Sequence, residues 1–192
     1  EADSIRKKNQ ATGEYISEFS WWRKPYIASF RAGSFDFVLI TAHIRWGSGN
    51  KARIKPLQLL ADWVEKRSKD EFGLDKDIIL MGDFNIPKVD DKLYKAITSK
   101  GLQAPDAIRG LDHGSNLAKN KRYDQILHNP TFTKSFTNKA GIIDFYQEDI
   151  KTLYPHNTPS KRQFTYELSD HFPLWIQLRT DIAEELLDQK IQ

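Results

Sequence analysis

Residues able to do acid–base or phosphate chemistry gather in a few short stretches of this 192-residue chain. The densest is Asp77-Ile78-Ile79-Leu80-Met81-Gly82-Asp83-Phe84-Asn85-Ile86-Pro87. Ile78 to Met81 read as a short strand buried on both faces. Gly82 then frees the backbone to turn. Asp83 and Asn85 stand two apart, so in an extended chain both side chains leave on the same side. Pro87 stops the strand and stiffens the chain beyond it. A carboxylate and a carboxamide would thus project together from the rim of a core. A plain turn fits this stretch equally well, because Gly, Asp, Asn and Pro are also turn formers.

Three further polar groups stand where an apolar run begins or ends. His43 closes Phe35 to Ile44, Asp124 opens Asp124-Gln125-Ile126-Leu127, and Ser169-Asp170-His171 precedes Phe172-Pro173-Leu174-Trp175. Singly, each has a structural explanation: a satisfied core histidine, a carboxylate capping a loop, a turn before a strand. Together they make two histidines, three aspartates and an asparagine at strand ends in a chain without cysteine. That inventory suits hydrolysis of a phosphate ester assisted by a hard divalent ion. Carboxylate oxygens hold Mg²⁺ or Mn²⁺, the ion neutralises phosphoryl charge, and a carboxylate can orient a histidine as acid or base. An amide can donate to a phosphoryl oxygen.

Gly82-Asp83-Phe84-Asn85 with Ser169-Asp170-His171 resembles the motifs of the endonuclease/exonuclease/phosphatase (deoxyribonuclease I-like) superfamily. Tyr123-Asp124-Gln125-Ile126, Thr41-Ala42-His43-Ile44 and Arg23-Lys24-Pro25-Tyr26 add to the resemblance, in family order. The resemblance implies an α/β four-layer sandwich, with two mixed, mainly antiparallel sheets packed face to face and helices outside. It also implies roles. Asp83 would orient or deprotonate the attacking water. Asn85 would bind the scissile phosphate. Asp124 would hold the catalytic His171, Asp170 would belong to the metal site, and His43 would donate to the phosphate or leaving group. Arg23 would contact substrate phosphate. The cofactor implied is Mg²⁺ or Mn²⁺.

The chain departs from the family pattern at its start. Family members have an asparagine-bearing strand and a strand ending in a metal-binding glutamate upstream of the hairpin. Here almost nothing precedes the hairpin, and Glu14 and Glu18 do not end a buried apolar strand. Residues 1–192 therefore read as one such domain, N-terminally truncated, with the gap covered by upstream sequence, by self-association or by a second chain. Three functions are open: a metal-dependent nuclease acting on DNA or RNA, a phosphoesterase acting on a lipid head group or inositol phosphate, and a catalytically incompetent fragment of such an enzyme.

The elements that must position these residues can be read along the chain. Residues 1–14 are polar and without period, as in a mobile arm. The aromatic stretch Tyr15 to Phe30 and the strand Phe35 to Ile44 flank a turn at Arg31 to Ser34, which reads as a β-hairpin. Val38, Ile40, Ala42 and Ile44 share one face and Phe35, Phe37 and Leu39 the other, so the second strand should be interior. Ile54, Leu57, Leu60, Ala61 and Val64 have helical spacing over 52–69. A helix is expected near 90–100, with Asp90 or Asp91 at its start and Gly101 as a stop. Residues 103–121 and 155–163 read as loops, Tyr123 to His128 and Phe172 to Leu178 as strands, and Phe132 to Asp144 as ambiguous. Ile150 and Leu153 end a short helix before Pro155. Asp181 and Glu184 resemble a capping box for a last helix burying Ile182, Leu186 and Leu187.

Composition sets outer limits. Hydrophobic residues make up 39% and charged residues 29%, which suits a globular domain and not a disordered chain. The absence of cysteine excludes disulfides and thiolate metal sites. No apolar run approaches transmembrane length. The net charge of +3 is unevenly spread, with 13 Lys/Arg against 7 Asp/Glu in residues 1–69 and 16 against 19 thereafter. A basic first third suits a polyanionic partner such as nucleic acid.

Overall fold

The N-terminal residues depart from the expected arm. In the computed structural model, which describes residues 5–47, 49–73, 75–146 and 150–181, strand β1 (Ile5–Lys8) pairs antiparallel with β2 (Tyr15–Phe19). A turn closed by the Gly13 N–H on the Asn9 carbonyl joins them. The aromatic and β-branched residues of β2 give the charged β1 a partner of high strand propensity. The pair adds little core, since Tyr15 and Ile16 stay exposed. It also divides the aromatic stretch 15–30, which is not one strand.

The expected hairpin comes next as β3 (Tyr26–Ala32) and β4 (Phe35–Thr41), paired antiparallel from Tyr26↔Thr41 to Ala32↔Phe35. Gly33, at φ 62°, makes the turn. Val38, Ile40, Ala42 and Ile44 are buried, whereas Phe37 and Leu39 are only partly so. Helix α1 (Gly49–Ser68) buries Leu57, Leu60, Ala61 and Val64, an i, i+3, i+4, i+7 stripe. Strand β5 (Ile78–Asp83) then lies parallel to β4. Helix α2 (Lys92–Thr98) starts at Asp91, whose carboxylate accepts from the Leu93 and Tyr94 amides at 2.8 Å each. Its apolar residues Leu93, Ala96 and Ile97 pack with α1 over the sheet.

The region read as a loop over 103–121 contains one helical turn, α3 (Asp106–Arg109). Strand β6 (Asp124–His128) completes a mixed sheet of order β3-β4-β5-β6. The ambiguous stretch resolves into β7 (Phe136–Ile142). Helix α4 (Ile150–Leu153) falls where expected. The polar stretch 155–163 runs into an unanticipated helix, α5 (Lys161–Glu167), started by a Ser160–Gln163 capping box. Phe164 is its one buried residue, so no apolar period marks it in the sequence. Strand β8 (Leu174–Leu178) pairs antiparallel with β7. The last helix expected after Asp181 lies outside the described residues.

The layout is an α/β sandwich. Phe136, Ala140, Leu174, Ile176 and Leu178 of the β7–β8 pair pack on the same core as the four-stranded sheet, α1 and α2. No helix among the described residues is long and apolar enough to cross a membrane.

One carboxylate works against this fold. Burial, with the charge of Asp75 adding to it, pushes the Asp77 carboxyl from 3.8 up to about 6. A raised carboxyl pKa means that folding favours the protonated form. The associated stability is present below about pH 4 and is lost as pH rises through about 6. Full conversion of that shift gives about 3 kcal/mol, which partial solvent screening reduces to about 1 kcal/mol. Asp77→Asn should therefore raise unfolding stability by about 1 kcal/mol at pH 7 and have no effect near pH 3, as measured by urea denaturation at both pH values.

Candidate active site

Strand register brings the polar residues together. In the β5–β6 pair Asp83 stands directly across from Asp124. Side chains of directly opposed residues share a face with Cβ atoms about 5 Å apart, an arrangement that destabilises a sheet when both carry the same charge. On the other side of β5, the Ile44 N–H donates to the Asp83 carbonyl at 2.9 Å, bringing the end of β4 alongside. Gly82 makes this approach possible. It sits at φ 140°, and a Cβ there would come within 2.1 Å of the Ala42 carbonyl oxygen. The pattern Gly82-Asp83-Phe84-Asn85 is thus a close-packed strand exit, and the plain-turn alternative does not describe it.

His171 reaches the same place from a loop. Its main chain bridges to Asn116, and the Phe172 N–H donates to the Ser115 carbonyl at 2.6 Å. The buried Ser115 also accepts the Asp124 N–H on its hydroxyl at 3.2 Å. One loop therefore ties both partners, and His171 Nδ1 lies 2.7 Å from Asp124 Oδ2. The carboxylate accepts, so Nδ1 carries the proton and Nε2 is left for chemistry. Tyr123 stacks on the His171 ring at 5.6 Å between centroids and fixes its plane.

Electrostatics reflect this crowding. The hydrogen bond to Asp124 raises the His171 pKa above its ordinary value. Burial opposes this, and the charges of Asp124, Asp83 and Asp170 reinforce it. Burial likewise raises the Asp83 carboxyl. The Asn85 N–H on its Oδ1, at 2.9 Å, opposes the rise, and the Asp124 charge adds to it. His43 flanks the group, with Nε2 3.6 Å from Asp83 Oδ2 and Nδ1 3.1 Å from Arg23 Nη1. A guanidinium can only donate, so Nδ1 accepts and the His43 ring proton sits on Nε2, toward Asp83.

Asp83, Asp124 and His171 have ligand atoms within 4.8 Å of one another. Two carboxylates whose mutual repulsion is part of the geometry fit a hard divalent cation, which takes one or two carboxylates and completes its shell with water or phosphate oxygens. Asp170 is exposed and lies outside this group. It reaches the site through its charge on His171.

Asn85 differs in detail from its expected part. It is 6% exposed, has φ 53°, and donates from Nδ2 to the Ile44 carbonyl at 2.7 Å. One amide proton is thereby used, and the second proton and Oδ1 remain for a ligand. Sequence reasoning misses Trp46 and Ser115, and it groups Arg53 with Arg23, Lys24, Arg45 and Lys51 as exposed groups for a phosphate backbone, whereas Arg53 is buried. Arg53 donates to the Asn85 carbonyl and lies 4.6 Å from the Trp46 ring centre. Only its place among the helix residues that face the core could have marked it. Outside the group, a cavity of about 220 Å³ lined by Gln103, His128, Thr133 and Phe136 lies at the opposite end of β6 and shares none of these side chains.

No protein-family model matches the chain, and no curated protein matches it. Among solved structures it is similar to a mannosyl-6-phosphatase of Bacteroides thetaiotaomicron, at 23% identity and TM-score 0.46 over 76% of this chain and 52% of that one. It is also similar to an endonuclease/exonuclease/phosphatase family protein from the same organism, at 20% identity and TM-score 0.47 over 84% and 57%. A third is sphingomyelinase C from Streptomyces griseocarneus, at 10% identity and TM-score 0.42 over 80% and 53%. The chain thus spans about half the length of each structure.

Proposed function

We propose that this chain carries the hydrolytic site of a divalent-metal-dependent phosphodiesterase of the endonuclease/exonuclease/phosphatase type, with nucleic acid as substrate. The observation that supports it most is the Asp124–His171 contact of 2.7 Å facing Asp83 across paired strands. Asp83, raised by burial, is suited to accept a proton from water or to orient it. Asp124 fixes the His171 tautomer and supports its charged form. Nε2 of His171 is then placed to hold or pass a proton at a phosphoryl or leaving-group oxygen. His43, whose Nδ1 faces Arg23 Nη1, offers its Nε2–H as a second donor. Asn85 offers its remaining amide proton. A Mg²⁺ or Mn²⁺ ion on Asp83 and Asp124, with Asp170 as added negative charge, would neutralise the phosphate and polarise its oxygens.

Nucleic acid is favoured by the rim. Trp22 and Trp46 are exposed, and the Arg23 and Arg45 guanidiniums lie 4.5 and 5.5 Å from the Trp22 ring centre. Cations beside open aromatic rings suit a strand that presents phosphates and stackable bases. A substrate panel tests this. With Mg²⁺ present, supercoiled DNA or single-stranded RNA should be cut, and inositol phosphates and choline-phosphate lipids left intact. Hydrolysis of either of the latter without nucleic-acid cleavage would transfer the site to that substrate class.

A further inference from the structure

Arg53 sits where a positive charge is costly for folding. It is 6% exposed, on the inward face of α1, within the first five residues of a helix with no acidic residue in its opening turn. Helix N-termini disfavour cations, and a buried charge without a counter-charge is destabilising. Among the described residues its contacts are neutral ones: the Asn85 carbonyl, Asn50 Oδ1 at 3.2 Å, and the face of Trp46. Its Nε has no partner there. Packing alone would be better served by an apolar side chain of the same length.

What the arginine does hold is the backbone of Asn85. That residue occupies the left-handed region at φ 53°. In that conformation its N–H meets Asp83 Oδ1 while its Nδ2 meets the Ile44 carbonyl. The three contacts fix Asp83 and Asn85 relative to each other, and the guanidinium secures the carbonyl end. We propose that Arg53 is a positioning residue, which locks the Asp83–Asn85 turn in its working geometry from beneath while Trp46 shields the lock from water. Its charge, left without a carboxylate, also favours an anion bound at Asn85. The inference rests on the phosphoester reading of the site, but its structural half can be read without any substrate.

The experiment compares the chain with its Arg53→Lys and Arg53→Met variants. Lys keeps the charge and loses the fork, and Met keeps the length and loses both. Amide hydrogen exchange at Asn85, followed by NMR, reads the lock. The kcat and KM for DNA cleavage read its consequence. In both variants exchange at Asn85 should speed up by about 10-fold or more while β4 and β5 amides keep their protection. In Arg53→Lys, kcat should fall about 10²-fold with KM changed less than about threefold, the mark of misplacement and not of lost binding. A folded variant with Asn85 exchange and kcat within about twofold of the original would overturn the proposal. Absence of phosphoester hydrolysis by the unmodified chain would count against the functional reading alone, and Asn85 exchange would then decide the positioning role. Should both variants unfold, Trp46→Leu opens the lock to water from its exposed side. Faster Asn85 exchange in that variant supports the proposal, and unchanged exchange refutes it.

Discussion

Replacing His171 by glutamine should lower kcat for phosphoester hydrolysis by about 10³-fold or more while leaving the fold intact. A positioned acid–base group contributes about 10² to 10⁴ in rate, and His171 is the imidazole that a carboxylate holds at 2.7 Å. Glutamine keeps a donor near Asp124 but has no group that titrates near neutrality. Asp124→Asn should cost as much, about 10³- to 10⁴-fold, because the ring loses its tautomer and charge support and the site loses a cation ligand. The pH dependence gives an independent mark. Because the folded-state pKa of His171 is raised above 6.5, first by the Asp124 hydrogen bond, the pair's contribution to stability is fully present below 6.5. It is lost as pH rises through the folded value. A rate limb set by this proton should accordingly lie above 6.5 in the original chain and move down in Asp124→Asn, as read from a pH–rate profile.

Asp83→Asn should separate activity from stability. Its activity is expected to fall about 10²- to 10³-fold, through loss of the group that handles water and of a cation ligand. Its stability without metal should move the other way. Burial and the opposed Asp124 raise the Asp83 carboxyl, so ionising it costs folding free energy at neutral pH, a cost that appears as pH rises above 3.8. Asparagine removes that cost. Magnesium should reverse the ranking: at ten times its Kd a ligand stabilises the folded state by about 1.4 kcal/mol. The original chain should gain this and Asp83→Asn should not. Thermal unfolding at pH 7 with and without Mg²⁺ measures both halves. A variant as active as its parent, or one that Mg²⁺ stabilises equally, would remove Asp83 from the site.

Much of this was legible in the sequence because strand ends are local signals. Four apolar residues and then Gly82 announced β5 and its exit, and the alternation in Phe35 to Ile44 announced β4. The polar residues at those ends could be collected by type, and the structure brings Asp83, Asp124 and His171 within reach of one another, with His43 beside Asp83. The sequence was silent where the determining contact is distant. The Asn85 side chain is bound to the Ile44 carbonyl, 41 residues away, and its backbone to Arg53 on a helix. Neither contact leaves a pattern in spacing. Charged β1 looked like an arm because its strand character comes from its partner β2. α5 looked like loop because one buried phenylalanine has no period.

The central claim is that Asp83, Asp124 and His171 form one metal-assisted hydrolytic group. The most direct measurement is the rate of DNA cleavage as a function of Mg²⁺ concentration, for the original chain beside His171→Gln, with a chelator control. Cleavage should rise with Mg²⁺, stop on chelation, and be about 10³-fold slower in the variant at every Mg²⁺ concentration. Cleavage that persists with chelator, or that His171→Gln leaves unchanged, would contradict the claim.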